Sequence, residues 1–180
     1  MDRNWLSSKT VIVTGASSGI GRGITEKLIK EHSCTVLGIA RSENKMQALA
    51  ADLGEYADKF SYQLFDISMR KNWEKYIAYL NENNIKPDVL INGAGILPKF
   101  NRFRYCSIED IEETMNINFY GAVYSMYELL PLILKSSSPA IINIDSSAAF
   151  MPLAGTAAYS ASKAALKSFT EAVREELRGK

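Results

Sequence analysis

Histidine and cysteine are both scarce in this chain. One histidine and two cysteines among 180 residues leave no ligand set for a zinc site and no disulfide framework. Cys34 opens an apolar run and Cys106 sits in a loop-like stretch. That usage fits a reducing compartment, and a cytoplasmic protein is expected. His32 closes a helical stretch, where a cation suits the helix dipole. Long apolar runs are lacking too. Those present, such as Leu129 to Leu134, are too short to span a bilayer, and Met1 to Lys9 hold no apolar core of a secretory leader. Neither sign of charge dominates: a formal net charge of +1 offers no field for nucleic acid or an anionic membrane surface. What is present, 47% apolar and 23% charged residues, is the make-up of a globular domain. The length suffices for one domain with a sizeable core, residues 1–180.

Strand and helix signals alternate along the chain. The patterning predicts strands near 9–14, 34–40, 60–65, 88–92 and 140–144, and helices near 19–32, 43–53, 69–83, 107–134 and 157–178. Pro131 falls late in the fourth helix and is expected to kink it. No repeat or linker interrupts the alternation. Strands separated by helical crossovers imply a parallel sheet covered on both faces, and right-handed connections favour a doubly wound α/β fold of three layers.

Three groups of residues carry chemistry. After the first strand comes Gly15-Ala-Ser-Ser-Gly19-Ile20-Gly21, then a helical stripe at Ile20, Ile24, Leu28 and Ile29. Strand, glycine-rich turn and helix is the context that makes glycines a phosphate site. Gly15 allows the tight turn, Gly19 lets backbone approach an anion, and Gly21 permits close helix packing. The first-turn amides and the helix dipole would face a pyrophosphate. The same glycines would serve a connection that binds nothing. Far downstream, Tyr159 and Lys163 lie four apart, sharing one face of a helix. A neighbouring ammonium favours a phenolate, which makes Tyr159 a candidate acid or base. Ser146, thirteen residues before Tyr159, would hold a substrate oxygen. Tyr-x-x-x-Lys alone is a common helix-surface spacing; the glycine turn gives it meaning.

The turn reads Thr-Gly-x-x-x-Gly-x-Gly. With Ser146, Tyr159 and Lys163 it resembles the short-chain dehydrogenase/reductase family, compact Rossmann-fold oxidoreductases, over essentially the whole chain. Asp66, Asn92-Gly-Ala-Gly95 and Asn118-Phe-Tyr-Gly121 follow in the family's order. The motifs fall at the carboxyl ends of successive strands, the ligand-binding rim of open α/β sheets. The resemblance implies hydride transfer between a nicotinamide and a small carbonyl compound or secondary alcohol, with no metal. Tyr159 would exchange a proton with the substrate oxygen and Ser146 would hydrogen-bond it. Lys163 would assist Tyr159 and bind the nicotinamide ribose, and Asn118 would hold a water linking Lys163 to solvent. Gly15, Ser17, Ser18, Gly19, Ile20, Gly21, Arg41, Asp66, Ile67, Asn92, Ala94 and Gly95 would line the cofactor site, Asp66 holding the adenine amino group.

No carboxylate ends the second strand, where one would bind the ribose hydroxyls of NAD; Arg41 follows instead. A guanidinium suits a 2′-phosphate, and Ser17 would add a hydroxyl, so NADP(H) is expected over NAD(H), which stays possible. Ser18 stands where many NADP-preferring relatives carry a second basic residue. Gly93 departs from the family's Asn-Asn-Ala-Gly, and Asp145 from the small residue common before the serine; Asp145 would either point away or face the catalytic pair. The segment Ile96 to Cys106, aromatic and basic, would line a pocket suited to a lipophilic ketone, a steroid-like compound or a 3-oxoacyl thioester. Relatives continue for about seventy residues on the family pattern. The last two strands are therefore expected to be lacking, with strand five an apolar edge. The alternative is a nucleotide-binding or interaction fragment without turnover. The family also implies a homodimer or homotetramer built on helices 107–134 and 157–178.

Overall fold

A computed structural model describes residues 5–179; residues 1–4 and 180, the ends of the expected domain, lie outside it. Among the described residues five strands form one parallel sheet: β1 (Thr10–Thr14), β2 (Thr35–Ala40), β3 (Phe60–Leu64), β4 (Val89–Asn92) and β5 (Ala140–Asn143). Their order is β3-β2-β1-β4-β5, the doubly wound arrangement expected. Register places Thr14 beside Ile39 on one side and Asn92 on the other, and Asn92 beside Asn143. The carboxyl ends of the central strands therefore finish level.

Side-chain alternation along the strands sorts the core into two layers. Val11, Val13, Val89 and Ile91 face α1 (Gly19–His32) and α2 (Glu43–Leu53), meeting Leu28, Ile29, Met46 and Leu49. Ile12, Leu37, Ile39 and Leu90 face the other way. There they meet Trp73 and Leu80 of α3 (Arg70–Glu82), Met126 and Leu129 of α5 (Gly121–Ile133) and Leu166 of α6 (Ala157–Glu176). Both faces of β1 and β4 are sealed, so they read as continuous apolar runs. β5 pairs with β4 alone among the described residues, and Ile142 on it is 38% exposed. It is the apolar edge expected.

One local reading changes. The helix predicted over 107–134 is interrupted: α4 (Ile108–Met115) and α5 are separated by a wide i→i+5 turn, Asn116–Tyr120. The cause is tertiary. Asn118, at the centre of the turn, accepts from Ile96 N (2.7 Å) and donates to Ile96 O (2.9 Å), and such turns recur where a side chain is re-aimed for function. Pro131 lies in the last turn of α5, which runs through it to Ile133. At the start of α3 the N-cap is Met69, without a side-chain bond. Ser68, the better N-cap by residue type, instead donates its hydroxyl (2.7 Å) and amide (2.9 Å) to Asp66 Oδ1.

Candidate active site

At the carboxyl ends of the strands a cleft of about 330 Å³ opens between the turn after β1 and the ends of β2, β3 and β4. Gly15, Ser17, Ser18, Gly19, Ile20, Gly21, Arg41, Asp66, Ile67, Ala94 and Gly95 all line it. The glycine turn is shaped by contacts that exclude side chains. Gly15 has φ +72°, and a Cβ there would stand 2.8 Å from the Ala94 backbone; at Gly21 it would stand 2.3 Å from Gly15 O. Thr14 Oγ1 accepts from Gly93 N (3.1 Å) and Ala94 N (3.2 Å), joining the end of β1 to the turn after β4. The result is a narrow backbone cradle opening α1, with amides and helix dipole directed at its mouth, a fit for a pyrophosphate.

Ile20, read as part of the helix's inner stripe, is 65% exposed and lines the cleft instead. Arg41 forms the outer wall and makes no ion pair among the described residues. Arg22, the other nearby cation, is held by Glu26 (2.9 Å) and Asp52. Those two carboxylates raise its pKa and leave Arg41 as the free cation of the cleft wall among the described residues.

Asn92 does not line the cleft with its side chain. It is buried, donates to Asn143 Oδ1 at 2.9 Å and accepts from Ser125 Oγ at 2.7 Å. Asn143 passes the chain on to Thr170 Oγ1 (2.8 Å). Asn92 shares the parity of Leu90, so its side chain enters the layer of α5 and α6. Gly93, the departure from the family pattern, does line the cleft. A Cβ there would approach Thr14 O to 2.9 Å, so at this backbone position the missing amide side chain leaves room.

Ser146, Tyr159, Lys163 and Asn118, expected to carry the chemistry, are not among the residues that line the cleft. Lys163 is 6% exposed, and its Nζ donates to Ile144 O at 2.7 Å. Gly95, in the cleft wall, links it to two of them: a Cβ there would lie 3.2 Å from Asn118 Oδ1 and 3.8 Å from Lys163 Nζ. Burial lowers the Lys163 pKa and the charge of Asp145 acts to raise it. The Asp145 charge thus acts on the lysine without an ion pair to it, and its buried Oδ1 has no partner among the described residues. Ser146 Oγ accepts from Ala148 N at 3.1 Å, so its lone pair is engaged while its own hydrogen stays available to an acceptor.

Ser162 was not singled out by sequence. It is fully buried, accepts from Asn118 Nδ2 at 3.1 Å and donates to Tyr159 O at 2.7 Å. Both amide hydrogens of Asn118 are thus used, on Ile96 O and on Ser162. Its position three residues after Tyr159 on one helix was the available signal.

Comparison with known proteins agrees with this geometry. The short chain dehydrogenase family profile matches residues 9–180. Serine 3-dehydrogenase of Agrobacterium fabrum is 31% identical over 96% of this chain and 68% of its own length. Benzil reductase ((S)-benzoin forming) of Saccharomyces cerevisiae is 35% identical over 93% and 65%. The NADP-dependent 3-hydroxy acid dehydrogenase of Escherichia coli O157:H7 is 32% identical over 94% and 66%. The chain spans about two thirds of the length of these relatives. Among solved structures, a closed form of serine dehydrogenase complexed with NADP+ superposes with a TM-score of 0.87 at 32% identity, covering 94% of this chain and 67% of that one. Sheet order, glycine cradle and these likenesses agree: the chain belongs to the short chain dehydrogenase family.

Proposed function

We propose that the chain carries the cofactor half and the reacting groups of an NADP(H)-dependent oxidoreductase that interconverts a carbonyl compound and a secondary alcohol. The observation that carries this reading is the junction at Gly95, where a buried lysine ammonium meets the wall of a dinucleotide-shaped cleft. A bound nicotinamide supplies or accepts the hydride. Tyr159 gives its phenolic proton to the carbonyl oxygen in reduction and takes it back in oxidation. Ser146 donates its free hydroxyl hydrogen to the same oxygen. Lys163 spends one of its three hydrogens on Ile144 O and has two for ribose hydroxyls, while its charge favours a phenolate at Tyr159. Asn118, its amide saturated, braces this corner; a water toward Lys163 would be held by its carbonyl oxygens.

Arg41 supports a preference for NADP(H): no carboxylate stands at the end of β2 to repel a 2′-phosphate, and this guanidinium is unpaired. Asp66 keeps one oxygen free of Ser68 for the adenine amino group. The exposed faces of α5 and α6, with Tyr127 66% exposed, are proposed to pair in a homodimer, which sedimentation would show.

The test is titration of the chain with NADPH and NADH by cofactor fluorescence, then a ketone screen with Tyr159→Phe as control. Binding of NADPH ahead of NADH, with turnover lowered by about 10²–10⁴-fold by the substitution, is expected. A second reading, a nucleotide-binding fragment without turnover, is favoured by the open β5 edge. Binding without turnover of any ketone would select it.

A further inference from the structure

Two loops that leave residues of the site carry apolar side chains that stay largely exposed, Phe150 with the Lys167 ammonium 4.8 Å from its ring centroid. One leaves the cleft at Gly95 and holds Phe100 and Phe103, 64% and 73% exposed; the other follows Ser146 and holds Phe150, Met151 and Leu153, 69%, 72% and 63% exposed. The loops meet. Asn101 N donates to Gly155 O at 3.1 Å, and Gly155, at φ +84°, would with a Cβ stand 3.5 Å from the Phe100 side chain. Both begin at residues of the site, and the second returns to it at Tyr159. Apolar surface gathered at one place in this way marks a binding surface.

Charge narrows what binds there. From Gly95 to Ser107 the chain has Lys99, Arg102 and Arg104 and no carboxylate, and from Ser146 to Ser162 it has no charged residue. None of the three cations makes an ion pair among the described residues. Arg104 lies over the Tyr105 ring at 4.7 Å, leaving Lys99 and Arg102 uncommitted. An apolar floor edged by unneutralised cations favours an anion with a large apolar body. A small polar acid would leave the floor uncovered, and a cationic compound would be repelled.

We propose that the carbonyl substrate has a bulky apolar or aromatic body seated on Phe100, Phe150 and Leu153, and an acidic group met by Lys99 and Arg102. This rests on the carbonyl-reductase reading above. The test uses the whole chain saturated with NADP+, so that ketones bind without turnover, and follows binding by calorimetry. The probe is 4-benzoylbenzoate, a diaryl ketone with one carboxylate; benzophenone lacks its charge and acetoacetate lacks its body.

4-Benzoylbenzoate is expected to bind about tenfold or more tightly than either comparator. Phe150→Ala, at an exposed position that folding does not need, weakens both aromatic probes about fivefold. Arg102→Glu, equally exposed, weakens the carboxylate probe alone. Acetoacetate binding as tightly as 4-benzoylbenzoate, or both variants binding like the parent chain, overturns the proposal. So does a sedimenting dimer that loses probe binding as chain concentration rises, which would make a second copy the occupant. A prior NADP+ titration separates the two levels. Failure to bind NADP+ removes the reductase reading and the proposal with it; NADP+ binding without probe binding removes the proposal alone.

Discussion

The cofactor cleft and the reacting corner sit side by side and are built in opposite ways. Backbone shapes the cleft: Gly15, Gly21 and Gly93 pack so closely that a methyl group at any of them meets main chain within 3.0 Å. Side chains shape the corner, through a chain of hydrogen bonds from Ile96 through Asn118 and Ser162 to Tyr159, and through the lysine bond to Ile144. The first construction tolerates almost no change in residue size but asks little of residue chemistry. The second tolerates modest changes of size and none of hydrogen-bonding type.

The sharpest break in this contrast comes from Tyr159→Phe, which keeps the ring and removes the proton. Turnover should fall by about 10²–10⁴-fold while NADPH affinity, read by fluorescence titration, stays within a factor of a few. Next is Gly21→Ala, a single methyl 2.3 Å from Gly15 O. It should abolish NADPH binding and cost about 1–3 kcal/mol in a denaturant melt; a melt and a titration like those of the parent would refute the backbone account of the cleft.

Ser162→Ala removes one partner each from Asn118 and the Tyr159 carbonyl. A loss of about 1–3 kcal/mol is expected, with kcat falling more than KM rises, and Ser162→Thr restoring part of it. Arg41→Ala acts on the outer wall, where solvent weakens the contact. It should lower NADPH affinity about tenfold and leave NADH affinity unchanged.

The smallest effect concerns pH. Burial lowers the Lys163 pKa below its ordinary 10.5, so between the lowered value and 10.5 the unfolded chain binds more protons than the folded one. Stability conferred by this site should therefore rise with pH across that window. Lys163→Met should flatten that rise, and Asp145→Asn should deepen the lowering, because the Asp145 charge opposes it. Melts at a series of alkaline pH values measure both.

The same contrast explains what could be read in advance. The cleft was legible because its requirements are local: a positive φ at Gly15 and a close approach at Gly21 restrict the residue at each position. Spacing singled out Ser146, Tyr159 and Lys163 as the proposed reacting groups. The break in the long helix was not legible, since no residue type marks a wide turn, and the bonds that stabilise it reach across to Ile96. The inward side chain of Asn92 follows from strand parity, which assigns it to the layer of Leu90. Ser162 lies at i+3 from Tyr159, whose carbonyl it bonds within the helix, and its bond to Asn118 is a tertiary contact that no residue type marks.

Thr14 has a mechanical consequence. Its single oxygen holds the amides of both Gly93 and Ala94, so the ends of the two central strands travel as one piece. The inner floor of the cleft is thereby a fixed anvil. Whatever yields to let a ligand enter or leave must lie on the outer side, at Arg41 and Asp66 or in the two exposed loops, and the lifetime of a complex is set there.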